Sequence, residues 1–241
     1  MEVEWNLEGG WTLVSSNQHS VHNRYAQNPT RSLNHLTHLD VHRFLSSIGV
    51  GIMFSMVDAP SLNDLEVSIL TYTGYWQYVI NFLRRFAPPL ERLKLSGTSM
   101  EASNVVSCLN LLPRLKKLSV DKMKDVNSLV SALTIADSVD DVDPVLVPVS
   151  SPLCPQLEVL EVTNSPISAE KLVDLLRSRF EVDITEALLY TVSRLREITV
   201  DTRCARVLRA HPSVVGCLVR GLILNEQVTN TSFFNLLGDF E

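Results

Sequence analysis

The stretch HLTHLDVHR, residues 35–43, places histidine, aspartate and histidine at alternating positions. Alternate side chains of a β-strand share a face, so His38, Asp40 and His42 would meet as two imidazoles and a carboxylate, donors suited to zinc. His35, His19 and His22 lie close in sequence. A metal-dependent hydrolase is the reading this pattern would carry, and it is the most distant one. His42 falls where the next helix is expected to begin, and no fourth ligand of defined spacing follows. Solvated histidines on an exposed strand are the simpler account, and no metal is assigned. Cys154 stands between Leu153 and Pro155 with no histidine nearby, which reads as packing rather than a nucleophile. Asp183 and Glu186, in EVDITE, have helical spacing and read as an exposed helix face rather than an acid–base pair. The chain has no G-x-S-x-G, G-x-x-x-x-G-K-[ST] or G-x-G-x-x-G. Binding is expected rather than catalysis, with no cofactor.

A second polar set is spread over six similar segments. They are HLTHLDV (His35 to Val41), SLNDLEV (Ser61 to Val67), PLERLKL (Pro89 to Leu95), RLKKLSV (Arg114 to Val120), PQLEVLEV (Pro155 to Val162) and RLREITV (Arg194 to Val200). As strands, they would turn their leucines and valines to one side. The other side would present, rung by rung, His38, Asp40 and His42; Asp64, Glu66 and Ser68; Arg92, Lys94 and Ser96; Lys117, Ser119 and Asp121; Val159, Glu161 and Thr163; Glu197, Thr199 and Asp201. Cations gather in the middle rungs between carboxylates, with Lys116 and Lys122 nearby. Asp64, Glu66, Arg92, Lys94, Lys117, Ser119, Glu161 and Glu197 are the candidate partner-binding residues. Such a pattern selects a protein of opposite pattern, an acidic target for the cationic centre. The alternative is a face that is merely solvated.

The elements that must position these side chains follow from the frame L-x-x-[LI]-x-[LV]. Its first leucines are Leu36, Leu62, Leu90, Leu115, Leu157 and Leu195, spaced by 26, 28, 25, 42 and 38 residues. The first three spacings match leucine-rich repeats. The longer two hold insertions: an acidic, proline-bearing loop (Asp137 to Pro152) and an extended or additional helix (Arg177 to Ser193). Helical patterns fill the intervals. One runs through Ala102, Val105, Val106, Leu109 and Leu112, with Ser99 as N-cap and Pro113 as stop. Another lines up Leu172, Leu175, Leu176 and Phe180, starting at Ser168. A third has Trp76, Val79, Phe82, Leu83 and Phe86, ended by Pro88 and Pro89. Similar segments run from about Val41 to Met56 and from about Val126 to Ala136. Strand, helix and parallel strand in succession make a curved solenoid with helices on its convex side. Eight positions after each first leucine, where such repeats keep a hydrogen-bonding residue, stand Phe44, Leu70, Thr98, Met123, Ser165 and Arg203. Only Thr98 and Ser165 suit the role, so irregular turns are expected. CLVRGLIL (Cys217 to Leu224) reads as a last strand and TSFFNLLGDF (Thr231 to Phe240) as a closing helix.

Composition limits the partners. Of 241 residues 45% are hydrophobic, enough for a sizeable core, and the formal net charge is -6, which disfavours nucleic acid. Four scattered cysteines without a CxxC read as buried thiols in a reducing compartment. The N-terminus lacks an export signal, and the longest apolar stretch, Phe44 to Val57, is too short and serine-bearing for a bilayer span. An intracellular protein, cytoplasmic or nuclear and without membrane contact, is expected.

LCPQLEVLEVTNSPISAEKLVDLLRSRF followed by LREITVD resembles the leucine-rich-repeat region of fungal F-box proteins, most clearly from Pro152 to Asp201 and more loosely from Leu33 to Leu224. The resemblance implies a substrate receptor of a ubiquitin ligase, whose F-box grips the adaptor while the repeats hold the target. Only 32 residues precede the first repeat, with no helical apolar pattern, so the target-binding half carries over and the adaptor-binding half does not. The expected organisation is a capping strand and linker over 1–32, then an irregular α/β leucine-rich-repeat-like solenoid over 33–241 with the acidic insertion at 137–152. A structural scaffold unrelated to ubiquitin is the second reading.

Overall fold

In a computed structural model, residues 2–5, 11–14, 21–23, 31–42, 51, 53–55, 57–68, 76–86, 88–97, 100–135, 152–180 and 192–228 are described. Three N-terminal strands, β1 (Glu2–Trp5), β2 (Trp11–Val14) and β3 (Val21–Asn23), form an antiparallel sheet in the order β1-β2-β3. Antiparallel strands therefore run through the stretch read as one capping strand and a linker. A short strand, β4 (Arg31–Ser32), follows, and then β5 (His38–His42) and β6 (Val57–Asp58); β4 pairs with β6 in parallel.

The six leucine frames all become strands. After β5 come β7 (Asp64–Ser68), β8 (Arg92–Ser96), β9 (Lys117–Asp121), β10 (Val159–Thr163) and β11 (Glu197–Asp201), and a seventh, β12 (Ile223–Gln227), completes the sheet. The order is β12-β11-β10-β9-β8-β7-β5, so each strand lies beside the one before it in this sheet, with only β6 passed over, and every pairing is parallel. The sheet is open. Register aligns Leu39, Leu65, Leu93, Leu118, Leu160, Ile198 and Leu224 in one row across it. A one-residue slip would turn every one of these to the polar face, which is why the register is well determined.

Parallel neighbours need a crossover, and helices supply it. They are α1 (Trp76–Phe86), α2 (Ala102–Leu109), α3 (Val126–Leu133), α4 (Ala169–Phe180), α5 (Thr202–Ala210) and α6 (Pro212–Val219). Their apolar sides and the leucine face of the sheet form one continuous core, so the helices cover that face and leave the other polar. The first leucine of each frame is buried in the turn before its strand, and Leu222 takes that place ahead of β12.

A main-chain fork joins the rungs. The carbonyls of Thr37, Asn63, Glu91, Lys116 and Glu158 each accept two successive N–H groups from the next rung, Asn63 and Asp64 in the first case and Arg196 and Glu197 in the last. Strand exits are also alike. Seven residues after the first leucine, Gly97, Lys122 and Asn164 have φ of 155°, 60° and 50°, a left-handed turn that glycine and asparagine tolerate best. Ser165 fills the expected hydrogen-bonding position. Its hydroxyl accepts from the Met123 N–H at 2.9 Å and donates to the Thr163 carbonyl at 2.9 Å, while Met123 is itself buried. Arg203 lies exposed in the first turn of α5; Phe44, Leu70 and Thr98 are outside the described residues.

Some expected boundaries move. The N-cap of α2 is Glu101, in extended backbone, and Ser99 is outside the described residues; the helix ends at Leu109, before Pro113. The segment expected to reach Ala136 stops at Leu133, where Thr134 turns extended. Cys217 and Leu218 belong to α6, and the last strand begins only at Ile223. An apolar run without alternation fits helix or strand equally, and here Pro212 at the helix start and Gly221 at φ 100° just beyond its end settle the matter. Of the helix placed between Val41 and Met56, residue 51 and residues 53–55 are described and helical. The acidic insertion up to residue 151, residues 181–191 of the extended helix and the closing segment Thr231 to Phe240 lie outside the described residues.

Candidate functional site

Strand alternation and register gather the candidate residues into two parallel rows on the polar face. The first is His38, Asp64, Arg92, Lys117, Val159, Glu197 and Ile223; the second is Asp40, Glu66, Lys94, Ser119, Glu161, Thr199 and Asn225. All eight candidate residues fall on these rows, four on each. A third row holds Ser68, Ser96, Asp121 and Thr163.

The charges engage one another across the rungs. Asp64 lies 3.1 Å from Arg92 Nε and 3.2 Å from His38 Nδ1. Lys94 reaches Glu66 at 2.6 Å, and Lys117 reaches Glu161 at 2.5 Å. Ser119, a candidate contact residue, is buried, and donates its hydroxyl to Glu161 as well. Thus each cation of the expected positive centre already holds a carboxylate from another rung. At partly exposed sites such pairs contribute about 0–1 kcal/mol each, which orders side chains more than it stabilises the fold. Asp121 accepts from Ser96 Oγ (2.8 Å), Thr163 Oγ1 (3.0 Å) and Asn164 Nδ2 (2.7 Å), with Lys122 Nζ 4.0 Å away. Glu197 accepts from Asn225 Nδ2 at 2.7 Å, and Asp201 caps α5 through the Cys204 N–H.

Proton affinities follow these contacts. The hydrogen bond to Glu66 holds the Lys94 ammonium above its usual range, against the opposite pull of burial. Burial alone would raise Glu161, but hydrogen bonds from Lys117 and Ser119 and the charges of Lys117 and Lys94 hold it below the ordinary carboxylate value.

A groove of about 440 Å³ runs over the centre of the face. Glu66, Lys94, Ser119, Asp121, Glu161 and, from the far strand, Gln227 contribute to its lining. Asn164, Asn225 and Gln227 were not among the residues singled out from the sequence. Asn164 could have been found by its place one residue past a strand end, where a left-handed turn favours asparagine; Gln227 lay beyond the last recognised frame.

The chemistry considered first resolves differently. His38 contacts Asp64, and the side chains of His42 and His22 and the whole of His19 lie outside the described residues. Among the described residues no group of three or more histidine, cysteine or carboxylate side chains is placed to hold a metal ion. Cys154 is buried at φ 48°, and burial pushes its thiol up to about 12, the state of a packing residue rather than a nucleophile. Cys108, Cys204 and Cys217 are buried as well, and none of the four forms a disulfide among the described residues. Asp183 and Glu186 are outside the described residues. Among the described residues no helix is long and apolar enough to cross a membrane.

What the fold and the face define is an open parallel α/β sheet, helices on one side and ordered polar rows on the other. No protein-family model matches the chain, and no curated protein matches it either.

Proposed function

We propose that the chain is a leucine-rich-repeat-like solenoid whose strand face recognises another protein, in the manner of the target-binding half of an F-box substrate receptor. The observation that carries this reading is the alignment of seven strands in chain order, all parallel, with the described helices on one side. Such an array presents a broad polar surface of main-chain-fixed spacing, the form in which repeat proteins bind partners. The groove supports a concave shape. Its lining reaches from β7 to β12, strands that five spacings would hold about 24 Å apart in a flat sheet. Binding, rather than catalysis, is the role this arrangement fits, and docking to a ligase adaptor is not part of the proposal.

Photo-crosslinking tests it. A crosslinker at Ser68, Ser96 or Thr163 should capture one defined protein from cells, and the same group at Glu170 or Arg206 on the helical side should not. Capture from the helical side alone would refute the reading. A second reading, a structural scaffold unrelated to ubiquitin, is favoured by one observation: Arg92, Lys94 and Lys117 are all spent on cross-rung ion pairs. Recovery of the ligase adaptor with the protein would count against that scaffold.

A further inference from the structure

We infer that the partner segment received by the strand face is basic, an extended run of lysine or arginine side chains lying across the strands. The inference rests on the strand-face reading above and names the chemistry of its partner. It reverses the expectation of an acidic target drawn from Arg92, Lys94 and Lys117.

Three observations lead to it. First, the outward strand positions carry seven carboxylates, Asp40, Asp64, Glu66, Asp121, Glu161, Glu197 and Asp201, against three permanent cations, Arg92, Lys94 and Lys117. Even with Lys122 counted, the excess is negative. Second, the cations are committed within the face: Arg92 to Asp64, Lys94 to Glu66 and Lys117 to Glu161. An acidic partner would have to displace carboxylates already in place, whereas a basic one meets Asp121 and Glu197, which are held mainly by neutral hydroxyl and amide donors. Third, the groove is acidic. Glu66, Asp121 and Glu161 line it against Lys94 alone, and it crosses from β7 to β12. An extended segment of about eight residues spans about 26 Å, more than enough to cross the groove on a concave face. Complementary charge of this kind gives specificity and fast association more than raw affinity.

The test uses the full chain with two labelled peptides of about eight residues, oligolysine and oligoglutamate, followed by fluorescence anisotropy at low and raised salt. Oligolysine should bind, and more weakly as salt rises. Asp121→Asn with Glu197→Gln should weaken it by about fivefold, and Lys94→Gln, which releases Glu66, should tighten it by about twofold. Glu170→Gln with Asp174→Asn on α4 should leave it unchanged, which separates the strand face from general attraction to a protein of net charge -6. Absence of oligolysine binding, or binding indifferent to the Asp121 and Glu197 pair, overturns the inference. Oligoglutamate binding abolished by Lys94→Gln would overturn the basic partner while leaving the strand face as the binding surface. Peptide binding sensitive only to the α4 pair would overturn both.

Discussion

Replacing Arg179 by methionine tests how the array is held together on its helical side. Arg179 is 1% exposed, on α4, and among the described residues it forms no ion pair. Its guanidinium donates instead to three main-chain carbonyls: Leu133 (2.9 Å) at the end of α3, and Cys154 (3.1 Å) and Leu153 (2.5 Å) in the turn that leads to β10. Burial lowers its proton affinity to about 10, which still leaves it charged at neutral pH. A buried cation is normally expensive, so these bonds must offset the desolvation. Hydrogen bonds to a charged group contribute about 1.5–3 kcal/mol each, and a carbonyl stripped of its buried partner costs about 1–3 kcal/mol. The Cys154 carbonyl also accepts the Leu157 N–H, so Arg179→Met strands chiefly the Leu133 and Leu153 carbonyls. Part of the loss returns because no charge remains to be buried. The expected net destabilisation is about 3 kcal/mol. With a urea dependence of about 3 kcal/mol per molar, the midpoint should fall by about 1 M in denaturation followed by circular dichroism. Arg179→Lys should recover little of this, since one ammonium cannot span carbonyls on two segments. A methionine variant within about 0.5 kcal/mol of the parent, or a lysine variant equal to it, would refute the reasoning.

Leu160→Ala, in the middle of the sheet, should cost about 4 kcal/mol, and Leu224→Ala, on the edge strand, about 2 kcal/mol; equal urea midpoints would contradict the stacking account. Glu161 is held below its ordinary value of 4.5, so its contribution is complete above that value and disappears as acid takes the pH down through the lower folded value. Glu161→Gln should thus flatten the acid limb of stability against pH while lowering the neutral plateau by less than about 1 kcal/mol, and an unaltered acid limb in urea titrations would rule this out. Lys122→Gly, relieving a side chain at φ 60°, should raise stability by about 0.5 kcal/mol; a clear loss in thermal unfolding would show that the turn is not strained.

The strand face was legible in the sequence because alternation needs no partner to be read. Once Leu160 and Val162 are assigned to the core, Val159 and Glu161 must point away from it, whatever lies alongside. Parallel order was legible too, since helical patterns between frames leave no room for hairpins. What could not be read was which charges meet. Lys117 pairs with Glu161, 44 positions on, because β9 and β10 are neighbours in a particular register, and the variable insertions hide that register from any count of residues. A cationic centre inferred from spacing therefore became a set of closed ion pairs. Arg179 was hidden for a related reason. Amphipathic patterning treats arginine as solvent-facing, and only the carbonyls of Leu133, Leu153 and Cys154 explain its burial. β12 was placed too early because Cys217 to Leu224 is apolar without alternation.

The forked carbonyls have a practical meaning for protein engineers. Thr37, Asn63, Glu91, Lys116 and Glu158 range from hydroxyl and amide to carboxylate and ammonium, yet each makes the same pair of bonds, because the fork uses only their backbone. The main-chain seam is thus indifferent to side chain, while cross-rung contacts such as Lys117 to Glu161 remain specific to their neighbours. Adding one 25-residue unit, which would widen the sheet by about 4.8 Å, would keep the forks but require the ion pairs and helix packing at both junctions to be rebuilt.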